Sequence, residues 1–279
     1  MSENNILLTK KQGGVTTLTL NRPQRYNALS SELLSLLSAE LDAIAADSTI
    51  RAVVVAANGQ AFCAGHDLKE MRGQMRQNEI QQSRQQLFGR QLFGKCSEVM
   101  MKLVNLPQPV IAKVQGMATA AGCQLVATCD LAVSADSAKF AVSGIRVGLF
   151  CATPAVALSR NINRKRALEM LMTGEFIDAQ SALNYGLVNK VVRSENLDQA
   201  VDDLVGKIIR HPHRVVTLGK KMFYQQINQD LSAAYAHATA TISANMMLDE
   251  TQEGIDAFIE KRPPNWTLQT TPRLKQGRT

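Results

Sequence analysis

A continuous apolar run, Ala52–Ala57, and a second strand-like run, Val110–Val114, each lead within a few residues into a loop built of small side chains. Such a run suits a strand buried on both faces. A strand of that kind needs packed layers on either side, which points to the α/β class. The first run turns at Asn58-Gly59 into Ala61-Phe62-Cys63-Ala64-Gly65-His66-Asp67-Leu68-Lys69-Glu70-Met71. The second enters Gln115-Gly116-Met117-Ala118-Thr119-Ala120-Ala121-Gly122-Cys123-Gln124. Each loop places Gly and Ala where a backbone has to come close to something.

The rest of the chain supports an α/β body with a helical end. Gly14 to Leu20 alternates as a strand, and Asn21-Arg22-Pro23 breaks it. Ser30 and Ser31 offer N-caps for a helix through Asp47, with Leu33, Leu36, Leu37, Leu41 and Ile44 as its apolar stripe. Residues 71–105 read as polar loop and then helix. The Gln- and Arg-rich stretch 74–91 reads equally as a mobile cover over a site or as an exposed helix. A helix starts near Ala121 or Gly122, and short strands follow at Leu131–Ser134 and Ala138–Ala141.

Lys165–Met172 and Asp178–Tyr185 read as helices, and Leu187–Val191 as a strand. Helices then run from about Leu197 to Ile259, interrupted by Pro212 and ended by Pro263-Pro264. The expected organisation is a core over 1–205, a helical region over 206–265 and a flexible tail over 266–279. Leu218, Phe223, Ile227, Met246 and Phe258, mixed with charge along the helical end, suit packing on a neighbour.

At 279 residues the chain suits one large domain, or a domain with an appendage. It contains no run of 18 apolar residues for a membrane span. Met1 to Lys11 has neither an apolar signal core nor an Arg-rich amphipathic pattern. Five scattered cysteines, Cys63, Cys96, Cys123, Cys129 and Cys151, form no CxxC pair. These features lead to an intracellular expectation, cytoplasmic if the source is prokaryotic. Of the net charge of +7, part sits in the tail at Arg273, Lys275 and Arg278. Another part sits in Arg160 to Arg166, which lacks interleaved aromatics and so argues weakly for nucleic acid. No Ser/His/Asp order, phosphate loop or metal-ligand spacing is present.

Taken in order, several motifs resemble the enoyl-CoA hydratase/isomerase (crotonase) superfamily across nearly the whole chain. They are Asn21-Arg22-Pro23 with Asn27-Ala28-Leu29, the two small-residue loops, Cys129-Asp130, Leu171-Met172-Thr173-Gly174 with Gly186-Leu187-Val188, and Glu253-Gly254 with Phe258-Ile259-Glu260-Lys261-Arg262. Within it, Ala120-Ala121-Gly122-Cys123-Gln124 and Val147-Gly148-Leu149-Phe150-Cys151 are most similar to the enoyl-CoA hydratase domain-containing protein 3 group. The resemblance implies a spiral of ββα units with a C-terminal helical trimerisation region, assembled as a homotrimer or hexamer. It implies an acyl-CoA thioester as ligand, with coenzyme A carried by the substrate and no permanently bound cofactor.

By family position, the backbone N–H groups of His66 and Ala121 form an oxyanion hole for a thioester enolate. The two glutamates of family hydratases fall on Gln124 and Gly144, and neither residue ionises at pH 7. Hydration is therefore expected to be weak or absent, leaving either a reaction that needs mainly enolate stabilisation or a non-catalytic acyl-CoA sensor or scaffold. The coenzyme A path implied by the resemblance comprises Arg25, Ala28, Ala64, His66, Asp67, Leu68, Lys69, Ala120 and Lys261. His66 is the one histidine near the loops, and its side chain reads as either catalytic or structural. Cys123 and Cys151 read as pocket lining, and Asp67 and Glu70 as charges at a helix start.

Overall fold

The computed structural model describes residues 5–73 and 79–266. Residues 74–78 of the Gln- and Arg-rich stretch, and the tail from 267 with Arg273, Lys275 and Arg278, lie outside the described residues. The chain divides into two compact units, Met1–Gly206 and Lys207–Thr279.

The first unit opens with an antiparallel hairpin of β1 (Leu7–Gln12) and β2 (Val15–Leu20), registered Leu7 against Leu20. Helix α1 (Ser31–Ala46) follows, its first turn held by the Ser30 hydroxyl, which accepts from the Leu33 amide at 3.2 Å. The buried stripe of α1 is Leu33, Leu34, Leu37, Leu41 and Ile44. Leu36, expected in that stripe, is 38% exposed. Leu34 replaces it because it shares the i, i+3, i+7 row with Leu37 and Leu41.

A repeated unit then builds the core. Strand β3 (Ala52–Ala57) is followed by β4 (Ala61–Cys63) and helices α2 (Leu68–Gly73) and α3 (Glu79–Asn105). Strand β5 (Val110–Val114) is followed by β6 (Met117–Thr119) and α4 (Ala121–Thr128). Strand β7 (Leu131–Ala135) is followed by β8 (Lys139–Ala141) and α5 (Ala152–Asn161). In each unit the first strand joins a six-stranded sheet and the second joins a four-stranded one. The elements that follow are α6 (Arg164–Thr173), β9 (Ile177–Asp178), α7 (Ala179–Tyr185), β10 (Lys190–Val192) and α8 (Leu197–Ile209), the last of which begins in the first unit and ends in the second.

The sheet orders are β1-β2-β3-β5-β7-β10 and β4-β6-β8-β9. All pairings are parallel except β1 with β2 and β8 with β9. Every residue of β3 is buried, as the unbroken apolar run requires, while β2 buries only Thr16, Leu18 and Leu20. This is the α/β spiral of ββα units that the sequence leads one to expect. Three local differences follow from short-range physics. Strand β1 hides in the sequence because only Leu7 of its six residues is buried. Strands β4 and β6 span three residues each, too short for an alternation to register. Strand β10 begins at Lys190 because Leu187 and Val188 are already buried in the connection that precedes it.

The second unit contains α9 (His213–Gln226), α10 (Leu231–Met246) and α11 (Asp249–Ile259). Asp230 caps α10, accepting from the Ala233 amide at 3.0 Å. Glu253 receives the Arg262 guanidinium in two hydrogen bonds, at 2.6 and 3.0 Å, and these hold its carboxyl down to about 2. Large apolar side chains lie open on this unit, among them Phe223, Ile227, Met247 and Phe258. Among the described residues, no helix is long and apolar enough to cross a membrane.

Candidate functional site

The two small-residue loops leave the carboxyl ends of the neighbouring strands β4 and β6, so parallel pairing brings them side by side. Their backbones touch. A Cβ added at Gly65 would stand 2.8 Å from the Ala120 Cβ and 3.2 Å from the Ala121 nitrogen. One added at Gly122 would run into the Cys63 carbonyl. Only hydrogen at these positions lets the loops close on each other.

Each loop leaves one amide aimed by its neighbours. Ala121 opens α4, so its N–H belongs to the first turn and has no intrahelical acceptor. Ala120, just before it, holds φ at 51° and ψ at −121°, a conformation costing about 1–3 kcal/mol for a residue with a Cβ. The Ala120 amide donates to the Ala141 carbonyl at 3.0 Å, which fixes that turn to the end of β8. In the other loop, the Gly65 carbonyl accepts from Leu29 at 2.7 Å and the Asp67 amide donates back to Leu29 at 3.1 Å. A trans peptide points its C=O and N–H in opposite directions. With the Gly65 oxygen turned toward Leu29, the His66 N–H is therefore turned away from it.

A cavity of about 320 Å³ opens beside these loops, with Ala64, His66, Ala120 and Ala121 on its wall. Leu68, Phe93 of α3, and Leu149 and Phe150 give the cavity apolar lining. Among the described residues, no Asp, Glu, Lys or Arg lines it. The titratable groups on its wall are His66 and Cys151. The His66 ring meets the Phe93 ring edge-on, centroids 5.0 Å apart, and its buried Nε2 has no hydrogen-bond partner among the described residues. Burial pushes its pKa down to about 4 against the opposing pull of the Glu70 carboxylate, so the imidazole is neutral at pH 7. Burial raises the Cys151 thiol, and Cys63 and Cys123 are pushed up to about 12. These sulfurs are thiols at neutral pH.

The two positions carried over from the hydratase glutamates behave differently. Gly144 lies on the cavity wall, in a 3₁₀ turn over Ser143–Val147. Its amide donates to the Cys151 Sγ at 3.3 Å. A Cβ there would collide with the Leu149 carbonyl and stand 2.7 Å from that sulfur. Gln124 sits one helical turn beyond Ala121, is 4% exposed and does not line the cavity; its Oε1 has no partner among the described residues. Beside Gly144, the Ser143 hydroxyl pairs with that of Thr119 at 2.7 Å.

The remaining expected site residues spread out. Leu68 lines the cavity while 57% exposed. Asp67 accepts from Arg22 with one oxygen and from the Lys69 and Glu70 amides with the other, so it caps α2. Glu70 reaches across to the Ser31 amide and hydroxyl. Ala28 is buried, with its carbonyl bound to Arg22. Arg25 and Lys69 are exposed and off the cavity wall, and Lys261 belongs to the second unit, with φ at 56°. Phe93, Ser143, Leu149 and Phe150 line the cavity without having been singled out as site residues. For Ser143 the available signal was its adjacency to Gly144.

A family model described as enoyl-CoA hydratase/isomerase matches residues 10–269 of the chain. The chain is 45% identical over 266 residues to the "Enoyl-CoA hydratase domain-containing protein 3, mitochondrial" of Rattus norvegicus, covering 95% of this chain and 86% of the relative. A crystal structure of an enoyl-CoA hydratase from Mycobacterium smegmatis superposes with a TM-score of 0.89 at 52% identity, over 94% of this chain and 99% of that one. The human enoyl-CoA hydratase domain-containing protein 3 superposes with a TM-score of 0.87 at 42% identity, over 94% of this chain and all (100%) of that one. The rat and human relatives carry "mitochondrial" in their names, which overturns the cytoplasmic expectation drawn from composition and cysteine usage. Buried thiols are equally stable in any reducing compartment, so they carried no information on which one.

Proposed function

The chain belongs to the enoyl-CoA hydratase/isomerase family, and from that premise we propose that it binds an acyl-CoA thioester and stabilises its enolate without supporting ordinary hydration. The observation that carries this reading is the contrast between the two halves of the site. The amides of His66 and Ala121 stand where two loops close on each other, while the acid positions hold a glycine and a buried glutamine.

Two preorganised backbone donors lower the cost of negative charge on a thioester oxygen, each by roughly 2.7–4 kcal/mol in well-studied acyl transfer. Addition of water also needs proton transfer, and each positioned acid or base contributes about 10²–10⁴-fold. Among the described residues, the cavity wall supplies a neutral imidazole and a thiol for that task. The coenzyme A moiety would follow the path given by Ala64, His66 and Lys69. The exposed apolar side chains of the second unit support assembly into a homotrimer or hexamer.

Calorimetry with butyryl-CoA and a hydration assay with crotonyl-CoA test this reading together. Saturable binding is expected, with hydration far below the enzyme median of about 10 s⁻¹. No binding at millimolar ligand, or turnover near that median, overturns it. A second reading, an acyl-CoA sensor or scaffold, is favoured by the lack of a carboxylate on the wall among the described residues. A screen of thioesters for any turnover separates the two.

A further inference from the structure

The guanidinium of Arg22 is almost enclosed, with its side chain 16% exposed, and it spans two segments that meet at the first loop. Its Nη1 donates to the Ala28 carbonyl at 2.7 Å and its Nη2 to the Asp67 carboxylate at 3.0 Å. Ala28 directly precedes Leu29, and Asp67 directly follows His66. One planar group thus ties together the two strands of the short parallel bridge between Leu29 and His66.

The loop that presents Arg22 is itself locked. Tyr26 and Asn27 hold φ at 49° and 53°. The Asn27 side chain accepts from the Arg22 amide at 2.8 Å and donates to the carbonyls of Asn58 and Ala61, each at 2.8 Å. The Ala64 amide donates to the Tyr26 carbonyl at 2.9 Å. Both ends of the His66 loop are therefore bound to the Arg22–Leu29 segment, and the fork of Arg22 closes the frame.

We propose that Arg22 is a positioning residue for the His66 donor: by clamping Ala28 to Asp67 it fixes the Gly65–His66 peptide plane, and with it the aim of the His66 N–H at a ligand oxygen. This rests on the oxyanion reading of the site. Arg22 does not line the cavity; it acts through Leu29, whose amide and carbonyl hold the peptides on either side of His66. Lysine has the charge but carries its donors on a single nitrogen, so it does not reproduce the planar fork that reaches Ala28 and Asp67 from two nitrogens.

The test is isotope-edited infrared spectroscopy of bound [1-¹³C]butyryl-CoA, read beside its affinity by calorimetry. Hydrogen bonds to a carbonyl lower its stretching frequency, so the frequency reports the donors and the affinity reports the whole site. In the native protein the bound thioester carbonyl shifts down relative to free ligand. In Arg22→Met, losing the aim of one of two donors removes about half of that shift, while affinity changes by less than about tenfold. Arg22→Lys lies between the two, and Asp67→Asn, which keeps an acceptor for the helix cap, loses the shift in the same sense if Arg22→Met folds poorly. A native shift retained in the bound fraction of these variants overturns the role of Arg22 and leaves the oxyanion reading standing. Bound ligand with no shift in the native protein overturns both.

Discussion

The Gly144 amide donates to the Cys151 Sγ at 3.3 Å, and the turn that makes this contact leaves no room for a side chain at 144. The absence of a side chain at 144, where the family resemblance places a hydratase glutamate, is therefore built into the backbone path. The Leu149 carbonyl and the Cys151 sulfur stand where the first carbon of a glutamate would have to be.

Restoring the carboxylate by substitution is accordingly expected to fail. Gly144→Glu, alone or with Gln124→Glu, forces the 143–151 segment to move and destabilises the protein by about 1–3 kcal/mol or more. Denaturant unfolding reads the loss. Crotonyl-CoA hydration stays at the native level in both variants, and a large gain in either contradicts the account of this turn.

Gly122→Ala tests the contact between the loops. Its Cβ meets the Cys63 carbonyl, and backbone cannot rotate away as a side-chain end can. A loss of about 2 kcal/mol or more in unfolding free energy is expected, together with loss of acyl-CoA binding. Gly206→Ala, at a helical glycine with open space around it, gains stability from helix propensity, by up to about 1 kcal/mol.

His66 makes stability depend on pH in a stated direction. Its folded pKa, about 4, lies below its ordinary value of 6.5, so below pH 6.5 the unfolded chain binds more protons than the folded one. The stability it contributes is present above pH 6.5 and is lost as pH falls toward 4. His66→Phe flattens the stability profile over that window, and an NMR titration of the ring places its midpoint well below 6. A midpoint near 6.5 contradicts the burial argument.

The fold was largely legible because its signals are long. The all-apolar β3, the leucine rows of α1 and the Pro212 break depend on periodicity and backbone chemistry that survive in one dimension. The loops were legible through their glycines, at 65, 116 and 122, each of which lies against another backbone segment. Long-range pairings were not. Nothing near Arg22 in the chain points to Asp67, 45 positions away, and nothing near His66 points to Phe93. The cavity wall from Leu149 and Phe150 depends on how a glycine-containing turn folds back. The inward placement of Gln124, away from the cavity, depends on the rotation of one short helix. Such features arise from tertiary packing, and neither composition nor spacing encodes them singly.

In the proposed reading, the amides of His66 and Ala121 hold a thioester oxygen while the acid positions carry Gln124 and Gly144. The most direct measurement is the carbonyl stretch of [1-¹³C]butyryl-CoA bound to the native protein. The account predicts a single bound band shifted below that of the free thioester, from hydrogen bonds donated by His66 and Ala121. A bound band at the free-ligand frequency would contradict it.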